Sequence, residues 1–291
     1  MESVSCIWDA QATLGEGPLW VAAESSVYWL DIKQSRIHCL HTSTGARQSW
    51  LVPAQVTSIA LRKTGGFVAT VRDGFVALTL GDNGHIITPL HLVEAGLAGN
   101  RFNDGKVDIN GRYWAGSMDD KEQRHTGVLY CLDLNGDVNR MDAGYCISNG
   151  PTFSPDGKRL YHTSTTEKTI YQFDMDATGE LSNKRVFYRV PDTDGYPDGM
   201  TVDAEGCIWL CHFFGGRITR LSPAGKVLRV ISLPVSNVTS CTFGGAELDQ
   251  LYITTARWAL TEAELQKQPL AGGLFVCEPG VKGLATNKYL G

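Results

Sequence analysis

Four short stretches of the sequence each place an acidic or amide side chain beside glycine, just before an apolar run. They read LGEGPLW from Leu14, RFNDGK from Arg101, SNGPTF from Ser148 and YPDGMT from Tyr196. Taken alone, the Pro-Asp-Gly of the last stretch is an ordinary turn signal. Together, the carboxylates and amides are oxygen donors of the kind that hard divalent cations prefer. Whether they form a site depends on the elements that carry them.

The elements follow a repeat. Aromatic or β-branched strand cores are centred on Tyr28, Val68, Trp114, Tyr161, Trp209 and Tyr252, at intervals of 40 to 48 residues. Several units continue with a second strand and a tight Gly/Asn/Asp turn, which suits one four-stranded antiparallel sheet per unit. Six such sheets predict an all-β fold, a six-bladed β-propeller, as a single domain over residues 1–291. A sandwich or a pair of barrels ranks lower, because neither requires so even an interval.

Six polar residues share one phase of this repeat. Each lies 10 to 12 residues before its strand centre: Glu16, Ser58, Asn103, Asn149, Asp198 and Ser240. In a closed ring of blades a common phase means a common height and radius, so we expect these side chains to converge near one end of the central channel.

Convergence predicts a metal site. Gathering the carboxylates of Glu16 and Asp198 with the amide oxygen of Asn149 would be costly without a compensating cation. Oxygen ligands alone favour Ca²⁺, Mg²⁺ or Mn²⁺, with Zn²⁺ or Fe²⁺ also compatible. Three protein ligands leave positions open for water and substrate, which is typical of a catalytic site. Arg101 and Asn103 add a cation and an amide suited to polar oxygens on a small ligand.

Other motifs in the chain are interpreted as structural. Asp156 lies in a second Pro-Asp-Gly, but in the later, hairpin phase of its unit. Two segments that mimic calcium loops, from Asp133 and from Asp174, fail as EF-hands because their twelfth positions are Gly144 and Arg185. We expect hairpin turns there. The chain contains no GxSxG elbow, HExxH, Walker loop or GxGxxG after a strand.

Composition limits the class of protein. A hydrophobic content of 43%, a charged content of 20% and a net charge of −5 predict a globular chain without a basic footprint for nucleic acid or an anionic membrane. No signal-peptide pattern or membrane-spanning apolar stretch is present, and eight scattered cysteines predict reduced thiols, so a cytoplasmic location is expected. A monomer is the default expectation.

Two local predictions concern the ends of the chain. The segment ALTEAELQK from Ala259 is the one helix-like stretch, with Thr261 as a cap and Glu264 placed for a capping box. The initial VSCIWDA is expected to pair with GGLFVCE near the end, so that the two termini share a blade.

The ordered motifs resemble those of the senescence marker protein/gluconolactonase/regucalcin family over essentially the whole chain. They are LGEGPLW, NRFNDGKVDINGRYWAGSM, ISNGPTFSPDGKRLYHTST, YPDGMTVDAEGCIWL, CTFGG and QPLAGGLF. The resemblance implies a six-bladed propeller whose bacterial members hydrolyse sugar lactones to aldonic acids and whose animal member is also described as a calcium-binding regulator.

The resemblance also assigns roles to residues. Glu16, Asn149 and Asp198 match the metal ligands, and Asp198 the proposed base. Arg101 and Asn103 match the substrate-binding pair. Among Asp119, Asp120 and Glu122 of the short loop after AGSM, Asp120 is chosen as the acidic substrate contact, beside the alternative of a solvated acidic loop.

These assignments predict a lactonase that binds one divalent metal ion, most favourably Ca²⁺, and opens a sugar lactone of the gluconolactone, galactonolactone, xylonolactone or arabinolactone type. Two alternatives stay open. One is a calcium-binding regulatory protein that uses the same ligands without turnover. The other is a related propeller hydrolase that acts on phosphotriesters or another ester.

Overall fold

The computed structural model describes residues 4–82 and 84–291. Its strands, in chain order, are β1 (Ser5–Trp8), β2 (Gly15–Val21), β3 (Ser26–Asp31), β4 (Arg36–His41), β5 (Arg47–Leu51), β6 (Ser58–Arg62), β7 (Phe67–Val71), β8 (Gly74–Gly81), β9 (Gly84–Leu92), β10 (Asn100–Val107), β11 (Tyr113–Asp119), β12 (Gly127–Leu132), β13 (Val138–Tyr145), β14 (Ser148–Phe153), β15 (Arg159–Ser164), β16 (Thr169–Met175), β17 (Leu181–Arg189), β18 (Tyr196–Val202), β19 (Ile208–Phe213), β20 (Arg217–Leu221), β21 (Val227–Ser232), β22 (Val238–Gly244), β23 (Gln250–Thr255), β24 (Leu274–Cys277) and β25 (Lys288–Tyr289). One α-helix, α1 (Glu262–Lys267), and two short 3₁₀ turns, Ala22–Glu24 and Asp192–Asp194, complete the described elements.

The strands form six sheets, and the fold is a six-bladed β-propeller, as the repeat predicts. The residues group into two compact units. Unit 1 contains the residues up to Leu51 together with Val190–Ala285. Unit 2 contains Val52–Arg189 and Thr286–Gly291. Each unit includes three of the six sheets.

Unit 1 has three four-stranded sheets, in the orders β2-β3-β4-β5, β18-β19-β20-β21 and β1-β24-β23-β22. In the last sheet β1 pairs antiparallel with β24, and Ser5 faces Val276 while Cys6 faces Phe275. This confirms the predicted pairing of the two ends of the chain. A strand from the beginning of the chain thus forms one sheet with three strands from near its end.

Unit 2 has two four-stranded sheets, in the orders β10-β11-β12-β13 and β14-β15-β16-β17, and one five-stranded sheet, β25-β6-β7-β8-β9. The short β25 runs parallel to β6, and Lys288 faces Leu61. The segments from Asp133 and Asp174 carry hairpin turns between β12 and β13 and between β16 and β17, as expected.

The second strand of each sheet carries the predicted aromatic centre. These strands are β3, β7, β11, β15, β19 and β23, and their residues are almost entirely buried on both faces. In unit 1, Trp209 of β19 packs in one cluster with Phe243 and Phe275 from the sheet of β22 to β24. In unit 2, Tyr113 of β11 packs with Phe75. Burial on both faces explains why these segments read as continuous apolar runs rather than alternating ones.

The helix and the cysteines also agree with expectation. Thr261 caps α1, its side chain accepts from the Glu264 backbone, and the Glu264 carboxylate accepts in return, which completes the capping box. All eight cysteines are free. Within the described residues, no helix has the length and apolar content needed to cross a membrane.

The buried histidine His162 makes the stability of the fold depend on pH. His162 in β15 is fully buried beside the ring of Tyr145, and burial lowers its pKa to about 3, with a further lowering from Lys184 and an opposing effect from Asp142. The folded state therefore favours the neutral ring. Its contribution to stability is complete above the unfolded pKa near 6.5 and is lost as the pH falls toward about 3.

The wild type should lose unfolding free energy as the pH falls from about 6 to 4. In His162→Phe, which removes this titration, we expect the slope of that loss to be smaller by roughly 1.4 kcal/mol per pH unit. Urea denaturation across this range measures the slope. His125→Phe, at an exposed loop position, is the matched control and should leave the slope of the wild type. An unchanged slope for the His162 variant would contradict the prediction.

Candidate active site

The six residues of the common phase all lie in the strand that precedes the aromatic-centre strand of each sheet; five of these strands are sheet edges, and β6 lies between β25 and β7. Those strands are β2, β6, β10, β14, β18 and β22. Within unit 1, β22 contacts β2 and β18; within unit 2, β10 contacts β6 and β14. Each unit therefore brings three of these strands side by side, as the repeat phase predicts.

The strand pairing is irregular at five of these six residues, and only the pairing at Ser58 is regular. Register shifts interrupt the ladders between Glu16 and Leu19, Phe102 and Gly105, Asn149 and Thr152, Pro197 and Met200, and Val238 and Ser240. Each of the first four intervals lies within one of the four Gly-containing motifs. A bulge bends its strand and redirects a side chain out of the regular alternation. The glycines serve this geometry: Gly17 and Gly150 have φ of 52° and 71°, which favours glycine.

In unit 1 the bulges hold two buried acids. The exposed fractions of Glu16 and Asp198 are 7% and 6%. Cys211 in β19 lies opposite the Asp198 bulge, between the pairs Pro197–His212 and Met200–Leu210. Burial and the neighbouring Cys241 thiol raise the pKa of Cys211 well above its ordinary value, and the charges of Asp198 and Glu16 raise it further. Both carboxylates therefore act electrostatically on one thiol.

This arrangement fits a divalent cation. Two buried carboxylates that both raise the pKa of one thiol add negative charge to this part of unit 1, which a bound cation would compensate. Within the described part of the chain, no three His, Cys, Asp or Glu side chains are grouped to hold a metal. A cation bound by Glu16 and Asp198 would thus need an oxygen of another type, such as an amide or a water molecule, at its remaining positions.

In unit 2 a chain of hydrogen bonds orients the predicted amides. Arg101 donates from Nη1 to Asn103 Oδ1 at 2.8 Å, and Asn103 Nδ2 donates to Asn149 Oδ1 at 2.9 Å. Asn149 Nδ2 in turn donates to Thr165 Oγ1 at 2.9 Å. The two donor contacts fix the direction of each amide, and Asn149 Oδ1 keeps a second lone pair beyond the one that Asn103 uses.

Two acids of the loop after β11, Asp119 and Asp120, have different partners. Asp119 is fully buried and accepts from the Arg124 side chain and from the backbone of Gln123 and Arg124, so it holds the loop together. Asp120 lies 3.3 Å from Arg101 Nε and 3.0 Å from Arg72 Nη1. Of the acids that the sequence left as candidates, Asp120 is the one in an ion pair with Arg101.

One residue of this region was missed by the sequence argument. Asp104, beside Asn103 in the same bulge, accepts from Gly105 N at 2.7 Å and from Gly150 N at 3.1 Å. It therefore ties β10 to the bulge of β14. Burial raises the pKa of Asp104 to about 6, against the lowering effects of Lys106 and of these two hydrogen bonds. The Asn-Asp-Gly sequence could have indicated a role for Asp104, but it does not show which of the two polar side chains faces the neighbouring strand.

Removing the donors of Asn103 should weaken unit 2. In Asn103→Asp, carboxylate oxygens would face Ser148 O and Asn149 Oδ1, which now accept from Asn103 Nδ2 at 2.9 Å each. Leaving buried acceptors unpaired costs about 1–3 kcal/mol, and we expect a loss of that size in unfolding free energy, measured by urea denaturation. Asn110→Asp, in an exposed turn, should have little effect. Equal stability of the two variants would show that the amide chain is not needed.

Comparison with known proteins identifies the group to which this arrangement belongs. The family model described as SMP-30/Gluconolactonase/LRE-like region matches residues 14–257. The chain belongs to this family. It is 39% identical over 296 residues to regucalcin from Oryctolagus cuniculus, covering 99% of this chain and 98% of that protein.

Two solved structures share the fold of this chain. The structure of a luciferin-regenerating enzyme superposes with a TM-score of 0.93 at 30% identity, covering 99% of both chains. A calcium-binding protein, regucalcin from Agrobacterium tumefaciens, superposes with a TM-score of 0.94 at 27% identity, covering 99% of this chain and 97% of that one. The description of the family, which names gluconolactonase, supports a lactonase-type family.

Proposed function

We propose that this protein is a metal-dependent lactonase that opens a sugar lactone to the aldonic acid. The observation that carries the proposal is the pair of buried carboxylates, Glu16 and Asp198, which lie at bulges of edge strands and act on the same Cys211 thiol. Burying two acids in this way costs free energy, and a bound cation would offset part of that cost. The chain belongs to a family whose description includes gluconolactonase, which supports lactone hydrolysis as the reaction class.

Glu16, Asn149 and Asp198 are the proposed ligands of one divalent cation, with Ca²⁺ favoured by the all-oxygen set. The name of the calcium-binding relative supports this choice of metal. When bound, such an ion would polarise the lactone carbonyl and stabilise negative charge on its oxygen.

Asp198 is the proposed general base. Its carboxylate would take a proton from a water molecule as the water oxygen forms a bond to the lactone carbonyl carbon. Asp198 would then return that proton to the ring oxygen as the bond between carbonyl carbon and ring oxygen breaks, which leaves the open hydroxy acid. The side chain ends the cycle in its starting protonation state.

Arg101, Asn103 and Asp120 are the proposed substrate contacts. Arg101 is buried and held by Asn103 and Asp120, so its guanidinium is oriented before a ligand arrives. A positioned cation, amide and carboxylate can together donate to and accept from sugar hydroxyls. When the sugar is held in one orientation, its translational and rotational freedom is lost on binding, which lowers the barrier of the chemical step.

A lactone panel tests the reaction. Gluconolactone, galactonolactone, xylonolactone and arabinolactone, each with added Ca²⁺, Mg²⁺, Mn²⁺ or Zn²⁺, are followed with a pH indicator that reports acid release. We expect saturable hydrolysis of at least one lactone that stops on chelation and returns on metal addition. No turnover of any lactone above the uncatalysed rate with any metal would overturn the proposal. A phosphotriester and an acyclic ester are added to the panel, and turnover of these alone would assign another hydrolase.

The second candidate function is a calcium-binding protein without turnover, favoured by the names of the regucalcin relatives. It predicts calorimetric Ca²⁺ binding that depends on Glu16 and Asp198, together with no activity on the lactone panel. Binding and turnover measured on one preparation separate the two functions.

A further inference from the structure

Two adjacent residues of β10, Asn103 and Asp104, hold a single residue of β14, Asn149, from three directions. Asn103 Nδ2 donates to Ser148 O and to Asn149 Oδ1, both at 2.9 Å. Asp104 Oδ2 accepts from Gly150 N at 3.1 Å. The side chain of Asn149 and the peptide groups on both sides of it are therefore tied to the neighbouring strand of unit 2.

The contact through Asp104 acts on the backbone of Asn149. The N–H of Gly150 and the C=O of Asn149 belong to one planar peptide group, so a hydrogen bond to that N–H fixes the rotation of the peptide that follows Asn149. Gly150 lies where the ladder of β14 with β15 is interrupted, and its φ is 71°. Because the ladder does not set the direction of the chain at this point, the contacts from β10 do.

Asp104 is itself held firmly. Its exposed fraction is 8%, and its Oδ1 accepts from Gly105 N at 2.7 Å within the bulge of β10. The packing behind this bulge is close, because a Cβ on Gly105 would come within 2.8 Å of Ser58 Oγ and of Trp114 O. The carboxylate thus spans two bulges, with one oxygen bound to each, and has little freedom to move.

A second buried aspartate of the same sheet has only local partners of this kind. Asp108 follows β10, and its Oδ1 accepts from Asn110 N at 2.9 Å and from Arg112 N at 3.0 Å, which closes the turn before β11. Asp104 closes no turn with its Oδ2 but reaches 46 residues along the chain to Gly150. Its contact therefore serves the bulge of β14, which carries Asn149.

We propose that Asp104 is a positioning residue for the divalent cation: it presets Asn149 so that the amide oxygen can bind the ion, without being a ligand itself. This inference rests on the proposed function only in taking Asn149 as a ligand, and it does not depend on lactone turnover. Asn149 Oδ1 accepts from Asn103 and has a second lone pair for the ion. Residues that orient metal ligands typically contribute 10- to 100-fold in metal affinity.

Calorimetric titration of the metal-free full chain with Ca²⁺ tests this role. Because burial raises the pKa of Asp104 to about 6, the titration is done at about pH 8, where its carboxylate is ionised. We expect Asp104→Ala to bind Ca²⁺ about 10- to 100-fold more weakly than the wild type. Asp104→Asn keeps the shape but offers one acceptor to two N–H groups, so its affinity should lie between the two. It decides the test if Asp104→Ala does not fold.

Asp108→Asn is the matched control, since it changes a buried aspartate that accepts from two backbone N–H groups at the opposite end of β10. It should lower stability, because one of those N–H groups loses its acceptor. It should bind Ca²⁺ as the wild type does. The control thus separates a general loss of stability from a specific effect on the cation.

A second readout follows the Gly150 amide in the metal-free protein. The chain contains Asn-Gly at residues 83–84, 110–111, 135–136 and 149–150, so labelling asparagine with ¹³C and glycine with ¹⁵N resolves this amide by NMR. We expect its hydrogen exchange to be slow in the wild type and in Asp108→Asn, and at least about tenfold faster in Asp104→Ala.

Each outcome of these measurements has one meaning. Wild-type Ca²⁺ affinity in both Asp104 variants would overturn the inference and leave the lactonase proposal standing. Weaker binding with unchanged Gly150 exchange would assign the effect to the charge of Asp104 and overturn the positioning role. A wild type that binds none of the cations of the lactone panel would overturn the inference together with the metal ligands. Ca²⁺ binding that depends on Asp104, without turnover of any lactone, would support the inference and overturn the lactonase proposal alone.

Discussion

Asp198→Asn is expected to lower kcat for lactone hydrolysis by about 10³-fold, because it removes both the proposed general base and a charged metal ligand. The amide cannot accept the proton of the attacking water, and it lowers the negative charge available to the cation. Initial rates on the best lactone of the panel, at saturating substrate and with excess metal, measure the effect. The fold should be retained, since the replacement is nearly isosteric.

The chain offers a matched control for this variant in its other Pro-Asp-Gly. Asp156 is an exposed turn residue whose Oδ1 accepts from Ser154 Oγ at 2.6 Å and from Lys158 N at 3.1 Å. Asp156→Asn should keep wild-type kcat and lose only a small amount of stability. Near-normal activity of Asp198→Asn with metal present would show that the catalytic base is elsewhere.

Glu16→Gln is expected to weaken binding of the divalent cation by roughly 10²-fold, because affinity in oxygen-ligand sites follows the number of charged ligands. The loss should appear in calorimetric titration of the metal-free protein. Activity at limiting metal should fall in parallel and should recover in part as the metal concentration rises, because the proposed base at Asp198 is still present.

Glu278→Gln serves as the control, since Glu278 is an exposed acid of the same unit. It should bind metal as the wild type does. Loss of activity in Glu16→Gln with unchanged metal affinity would contradict the role of Glu16 as a ligand, whereas loss of both without recovery at high metal would indicate that Glu16 has a further part in the reaction.

The blade architecture could be predicted from the sequence because each sheet repeats the same local requirements. A second strand buried on both faces reads as a continuous aromatic or β-branched run, and tight turns need Gly, Asn or Asp. The spacing of these runs set the six sheets, and the pairing of β1 with β24 followed from two short apolar strands at the chain ends. The capping box of α1 was predictable for the same reason, since it is a local pattern.

The phase of the polar residues was also determined by the sequence, since a residue 10 to 12 positions before a strand centre lies in the preceding strand of a hairpin. All six lie in the strand that precedes an aromatic-centre strand, and five of these strands are sheet edges. The bulges were not predicted as such. Glycine beside an acid marks many turns, and only the register of β2, β10, β14 and β18 against their partners shows that the ladder is interrupted there.

What only the tertiary structure decided is which side chains contact one another. The ion pair of Asp120 with Arg101, the bridge from Asp104 to Gly150, and the action of Glu16 and Asp198 on Cys211 each join strands or loops distant in sequence. Sequence spacing fixes height and face within a sheet, because side chains alternate with a period of two. It does not fix rotamers, bulge geometry or hydrogen-bond partners, which place Asp120 against Arg101 and Asp119 against Arg124.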